Sequence, residues 1–196
     1  MNTKTLGHDG HNSDSTDIFG FWMYIMTDCV LFATLFAAFA VLHNNTYGGP
    51  GIKQLVSLPY VFGETMFLLI SNLTYGLGLL SVHKRNQKQL LGWLYVSIIF
   101  GVGFLTMELN EFIGIVREGH SWQSSAALSS FFTLVGTHGL HVFLGLVWMV
   151  VLSFQVTKLK INSTMVRRLT YLGLFWNFLD IVWIFVFTIV YLMGAI

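Results

Sequence analysis

Charge is scarce in this chain of 196 residues: Asp, Glu, Lys and Arg make up 10% of it, against 55% apolar residues. A water-soluble enzyme is excluded by that imbalance, because a surface wetted on all sides needs more ionic groups. The few charges nearly cancel, ten Lys and Arg against nine Asp and Glu, giving a formal charge of +1. There is thus no basic field to hold nucleic acid and no acidic tail for a cationic partner. Cysteine is down to one, Cys29, which rules out an internal disulfide and a zinc cluster and leaves the redox compartment unread. Alternating ten-residue barrel strands are missing, and so are a fixed-period repeat and any loop long enough to carry chemistry of its own. Function has to be sought inside a bilayer.

What the chain has in quantity is long apolar runs. Crossing about 30 Å of hydrocarbon at about 1.5 Å per residue takes roughly 20 residues. Five stretches qualify, 19–42, 60–82, 91–114, 127–156 and 170–193, and lipid-surrounded backbone of this length has to be helical to satisfy its own hydrogen bonds. The expected fold is therefore all-α and polytopic, with 1–18 as a mobile polar tail and 19–196 as one five-helix transmembrane domain. Ala38-Phe39-Ala40 resembles a signal-peptide cleavage site, but the run is too long and contains Asp28, so the first span is expected to be retained. His8 and His11 are read as tail residues rather than metal ligands. The loops are short: 43–59 holds the turn Gly48-Gly49-Pro50-Gly51, and 115–126 is polar, with Gly119 and Ser121.

The basic residues are lopsided. Lys4, Lys84, Arg85, Lys88, Lys158, Lys160, Arg167 and Arg168 fall in the tail or after even-numbered spans, against Lys53 and Arg117 on the other side. The positive-inside rule then puts the N-terminus in the cytoplasm and the C-terminus outside. Trp22, Trp93, Trp122 and Tyr47 stand near span ends as interfacial anchors, whereas Trp148, Trp176 and Trp183 are deeper and read as packing. Ala33 with Ala37, and Ser97 with Gly101, stand four apart and predict seams of close helix approach.

Five of the nine acidic residues, Asp28, Glu64, Glu108, Glu111 and Asp180, fall within spans, as do His138 and His141. A carboxylate at the bilayer centre costs about 2.5–3.5 kcal/mol on insertion scales, so these groups are expected to face other helices or water. Counting residues from the span ends puts Asp28, His138, His141 and Asp180 near the midplane and the three glutamates nearer the outer boundary. Glu108 and Glu111 are spaced i, i+3, as are His138 and His141, which predicts Glu–His hydrogen bonds between neighbouring spans 91–114 and 127–156. A proton path through the same groups is a second reading, in the extreme a proton-coupled carrier using Asp28, His138 and Asp180 as a relay. A metal enzyme is a third, but dinuclear carboxylate bundles carry Glu-x-x-His on each of two helices, whereas both histidines here share one. Two imidazoles three apart on one helix cannot reach opposite faces of a haem, and a lone cysteine in an apolar run is read as inert. From the residues alone no catalytic, metal or cofactor site is expected, with the metal enzyme built on the Glu and His pairs kept as an alternative.

Three blocks, Phe19-Gly-Phe-Trp-Met-Tyr-Ile-Met-Thr-Asp28-Cys-Val-Leu-Phe32, Glu64-Thr-Met-Phe-Leu-Leu-Ile-Ser-Asn-Leu-Thr-Tyr-Gly76 and Phe104-Leu-Thr-Met-Glu108-Leu-Asn-Glu111-Phe112, resemble the subunit III family of haem-copper oxidases. Val135-Gly-Thr-His138-Gly-Leu-His141-Val-Phe-Leu-Gly145 and Leu174-Phe-Trp-Asn177-Phe-Leu-Asp180-Ile-Val-Trp183 extend the likeness over all five spans, in order. Within the family, the five-helix chain is most similar to the branch that serves bo-type ubiquinol oxidases. The resemblance implies a V-shaped bundle that is itself non-catalytic and cofactor-free, with haems and copper in subunit I, which takes electrons from ubiquinol, reduces oxygen and pumps protons. It also implies phospholipid in the cleft, a main contact with subunit I, subunits II and IV in the same complex, support of turnover and proton supply, and a bacterial inner membrane. Asp28 stands where relatives have an acidic residue, often Glu. The family pattern Trp-His-Phe-x-Asp departs here at Asn177, which can hydrogen-bond but cannot exchange a proton near neutral pH. A cytochrome c oxidase subunit III and a nitric-oxide-reductase accessory subunit are the alternatives within the family.

Overall fold

A computed structural model describes residues 9–43, 45, 57–83, 86–117, 125–158 and 162–192. Lys4, His8, Tyr47, the turn Gly48-Gly49-Pro50-Gly51, Lys53, Lys84, Arg85, Gly119, Ser121, Trp122 and Lys160 lie outside the described residues, as does the side chain of His11. Five helices follow one another: α1 (Asp9–Leu42), α2 (Leu58–His83), α3 (Gln87–Arg117), α4 (Ala126–Lys158) and α5 (Ser163–Val186), which continues as a π-helical turn over Phe187–Leu192. Each contains a stretch long and apolar enough to cross a membrane.

The helix starts follow local chemistry. Asn162 has an extended backbone (φ −114°, ψ 160°), and its side chain accepts from the Ser163 N–H at 2.8 Å, capping α5. Ser125 caps α4 by accepting from the Leu128 N–H at 3.1 Å. Pro59 sits in the first turn of α2, where its missing N–H breaks no helical bond. Two helices outrun the expected spans. α1 begins at Asp9, ten residues before position 19. α5 begins seven residues before position 170, so Arg167 and Arg168 ride on its first turns, with Arg168 Nη1 donating to Gln155 Oε1 of α4 at 3.1 Å.

Packing closes α2, α3, α4 and α5 into a ring, each touching the next and α5 returning to α2. α1 lies outside that ring, against α4 and more lightly α5. Among its described side chains it buries the stripe Ile25, Asp28, Phe32 and Phe39, with Phe21, Leu35 and Phe36 partly buried beside them, while Ala33 and Ala37 are exposed. That small-residue pair therefore forms no seam among the described residues, but Ser97 and Gly101 do: the Ser71 and Ser97 hydroxyls each donate to the other's backbone carbonyl at 2.8 Å, lacing α2 to α3. Without a hydrophobic force between helices in lipid, such close contacts and van der Waals fit hold the bundle. The indole of Trp176 shows the fit. It lies between Gly145 of α4 and Gly101 of α3, where a Cβ would stand 2.8 Å and 3.2 Å from its ring.

Candidate functional site

The intramembrane polar residues gather in three places. In the middle of the ring, Glu64 from α2 and Glu108 from α3 are buried, and Glu111 is half-buried one turn beyond Glu108. The three carboxyls lie within electrostatic range of one another, and Tyr191 faces all of them. Tyr191 OH donates to Glu111 Oε2 at 3.0 Å, from the π-helical turn that ends α5. Tyr60, which faces Glu64 and Glu111, donates instead to the Met107 carbonyl at 3.1 Å. Neither oxygen of Glu64 or Glu108 has a hydrogen-bond partner.

The expected Glu–His bonding between α3 and α4 is absent, although the two helices are neighbours as predicted. Glu108 meets α4 at Gly139, where a Cβ would stand 2.6 Å from Oε1 and 2.9 Å from Oε2. Gly139 follows His138 directly, and one residue is about 100° around a helix of 3.6 residues per turn. The glycine thus presents bare backbone to the acid while the histidine turns to the far side. There His138, with no exposed surface, stacks on Trp183 (ring centroids 5.1 Å, 29°) and meets the edge of Phe104 at 6.1 Å. Both its nitrogens lack a hydrogen-bond partner, and Trp183 Nε1 donates to Thr65 Oγ1 at 3.0 Å rather than to the imidazole.

The second place is the α1–α4 contact. His141 Nδ1 donates to the Thr137 carbonyl at 2.7 Å, which aims Nε2 at Asp28, 3.8 Å from Oδ1. That is ion-pair range when the imidazole is protonated and too long for a direct hydrogen bond. Tyr24 lies against Asp28 from one turn earlier, Phe32 packs on His141 at 5.3 Å, and Asp28 Oδ2 has no partner. Asp28 and His141 come from runs more than a hundred residues apart, yet they are the only carboxylate–imidazole ion pair among the described residues.

The third place joins α2 to α5. Asn72 Nδ2 donates to Asp180 Oδ2 at 2.8 Å, while Asp180 Oδ1 is buried without a partner and Asn177 is exposed one turn away on the same helix. Among the described residues no three of His, Cys, Asp and Glu are grouped so as to hold a metal ion. Sequence reasoning missed Tyr60, Asn72, Gly139, Trp183 and Tyr191. An amide inside a span was a signal available for Asn72, since it too needs a partner in hydrocarbon. Tyr191 stands near the end of the last span, on the π-helical turn over Phe187–Leu192, from which its hydroxyl reaches Glu111.

Comparison with known proteins matches residues 2–195 to the family model described as cytochrome c oxidase subunit III. The chain is similar to the cytochrome bo(3) ubiquinol oxidase subunit 3 of Pseudomonas aeruginosa, 53% identical over 97% of this chain and 93% of that one. It is 48% identical to the subunit of the same name in Pseudomonas putida, over 95% and 90% of the two chains. It is also 41% identical to the cytochrome c oxidase subunit 3 of Bacillus sp. strain PS3, over 90% and 86%. With nearly its whole length matched, this five-helix chain belongs to the cytochrome c oxidase subunit III family.

Proposed function

We propose that this chain is the non-catalytic third subunit of a bo-type ubiquinol oxidase, stabilising subunit I, holding phospholipid and supporting proton uptake. The observation that carries the reading is the Asp28–His141 pair at 3.8 Å: a carboxyl and an imidazole kept together about 20 Å inside a membrane-spanning helix pair, at a cost that packing alone does not require. The names of the similar Pseudomonas subunits support the complex to which it is assigned. Subunit I is the main contact, with subunits II and IV in the same assembly, and the haems and copper reside in subunit I. The histidines here suit no haem of their own, because Trp183 covers one ring and Asp28 faces the other. The excess of basic residues in the tail and over 83–90 and 157–169 supports an orientation with the N-terminus in the cytoplasm and the C-terminus outside, and the assignment to a bo-type oxidase carries a bacterial inner membrane with it.

A tagged chain taken from its own membranes should bring a haem-copper subunit with it, in a complex that oxidises ubiquinol. In that complex Asp28→Asn should slow proton supply or shorten the working life of the enzyme. A chain that co-purifies with no haem-copper subunit refutes the assignment, and turnover and lifetime unaltered by Asp28→Asn reduce the pair to a packing contact. The relative named as a cytochrome c oxidase subunit favours a second reading, which a complex oxidising cytochrome c but not ubiquinol would establish.

A further inference from the structure

A groove of about 550 Å³ runs along the outer surface between α2 and α5, walled by Leu69, Leu73, Leu77 and Leu80. Its lining is apolar except at the centre, where Asn72, Asn177 and Asp180 meet. Asn72 lies 14 residues from the start of α2 and 11 from its end, so about 16–21 Å of helix separates it from either boundary. Asp180 is 11 residues before Tyr191 and 17 after Ser163, a similar depth. Lipid headgroups and interfacial water do not reach that level, and acyl chains offer no hydrogen bond.

The polar centre is built and incomplete. The Asn72 amide gives its N–H to Asp180 Oδ2, which fixes its orientation and leaves its carbonyl oxygen without a bond. Asp180 is only 7% exposed, and its Oδ1 is unpartnered. Asn177 is exposed and makes no hydrogen bond among the described residues. A primary amide left open to hydrocarbon is costly, and none of the described residues satisfies it. Gly76, four residues after Asn72, leaves open space where a Cβ would be, so a second backbone can come close.

We propose that this groove receives a transmembrane helix of another subunit of the oxidase, which places a hydrogen-bonding side chain between Asn177 and the Asn72–Asp180 pair. The occupant we infer is a helix, because a side chain on a spanning backbone holds a donor fixed at this depth, and a groove of this size takes the side-chain ridge of one helix. The inference rests on the assignment to a multi-subunit oxidase and names the face, and the chemistry, by which the chain is held there.

The test uses the intact complex in its native membrane. A photo-crosslinking residue at Leu73 or Leu77 should yield an adduct whose partner, identified by mass, is another subunit of the oxidase. Asn177→Leu should make the chain leave the detergent-solubilised complex about 3- to 30-fold faster, the range for one interhelical hydrogen bond lost. A residue that faces lipid in the bound and the free chain alike predicts no change, since leucine then shifts both states equally. Adducts to lipid alone or to a second copy of this chain, or dissociation unchanged in Asn177→Leu, overturn the proposal while co-purification with the oxidase leaves the functional assignment standing. Absence of any co-purified oxidase subunit overturns both.

Discussion

Gly145→Ala adds one methyl group where α4 meets the Trp176 ring of α5. The new Cβ would lie 2.8 Å and 3.1 Å from two ring carbons and 3.2 Å from Phe175. Ordinary carbon–carbon contact begins at about 3.5 Å, so the two helices must part by about 0.7 Å or the ring must turn. Trp176 is almost fully buried and is braced by Gly101 on its other edge, so it has nowhere to turn. Overpacking of this kind costs about 1–3 kcal/mol. Because α4 carries His138 and α5 carries Trp183, the separation also loosens the stack between those two rings. The assay is the rate at which the purified complex loses this chain on mild heating, where that cost appears as about a 5- to 150-fold acceleration. Trp176→Phe, a smaller ring, should destabilise on its own by opening a cavity, yet should relieve the clash. The double variant must therefore be less impaired than the sum of the two singles. Additive losses, or a Gly145→Ala complex as durable as the parent, would refute the claim that glycine is kept there to seat the indole.

Tyr191→Phe removes the 3.0 Å bond to Glu111 and leaves that carboxyl beside Glu64 and Glu108 with no donor; a loss of about 0.6–2 kcal/mol should show in the same heating assay. Ser71→Ala and Ser97→Ala each break one of two bonds whose hydroxyls also meet at 3.1 Å, so the double variant should cost less than the sum of the singles; full additivity would show that the two hydroxyls act separately. Asp28→Asn and His141→Phe should couple by about 0.5–3 kcal/mol in a double-mutant cycle on the working lifetime of the enzyme, and a coupling near zero would dissolve the 3.8 Å pair as a unit.

The five helices, and the list of residues that are expensive inside them, were legible from the apolar runs of the sequence. Insertion is a local matter: a run is long and apolar enough to cross or it is not, and a carboxyl within it is costly whatever surrounds the helix. The small-residue reading held at Ser97 and Gly101, whereas Ala33 and Ala37 are exposed and form no seam among the described residues, because spacing says that a helix can be approached closely, not which neighbour does so.

Partners were decided only in three dimensions. The i, i+3 spacing of Glu108 and Glu111, and of His138 and His141, fixed which side chains share a face but not where that face points. Rotation by one residue about α4 set Gly139 rather than His138 against Glu108 and sent His141 to Asp28 on α1. In the same way the π-helical turn gave Glu111 to Tyr191, and the closure of the ring gave Asp180 to Asn72. Helicity follows from what each segment contains, whereas the angle at which a helix is turned about its own axis is settled by all its neighbours at once. At about 100° per residue, that angle chooses every polar contact in the membrane.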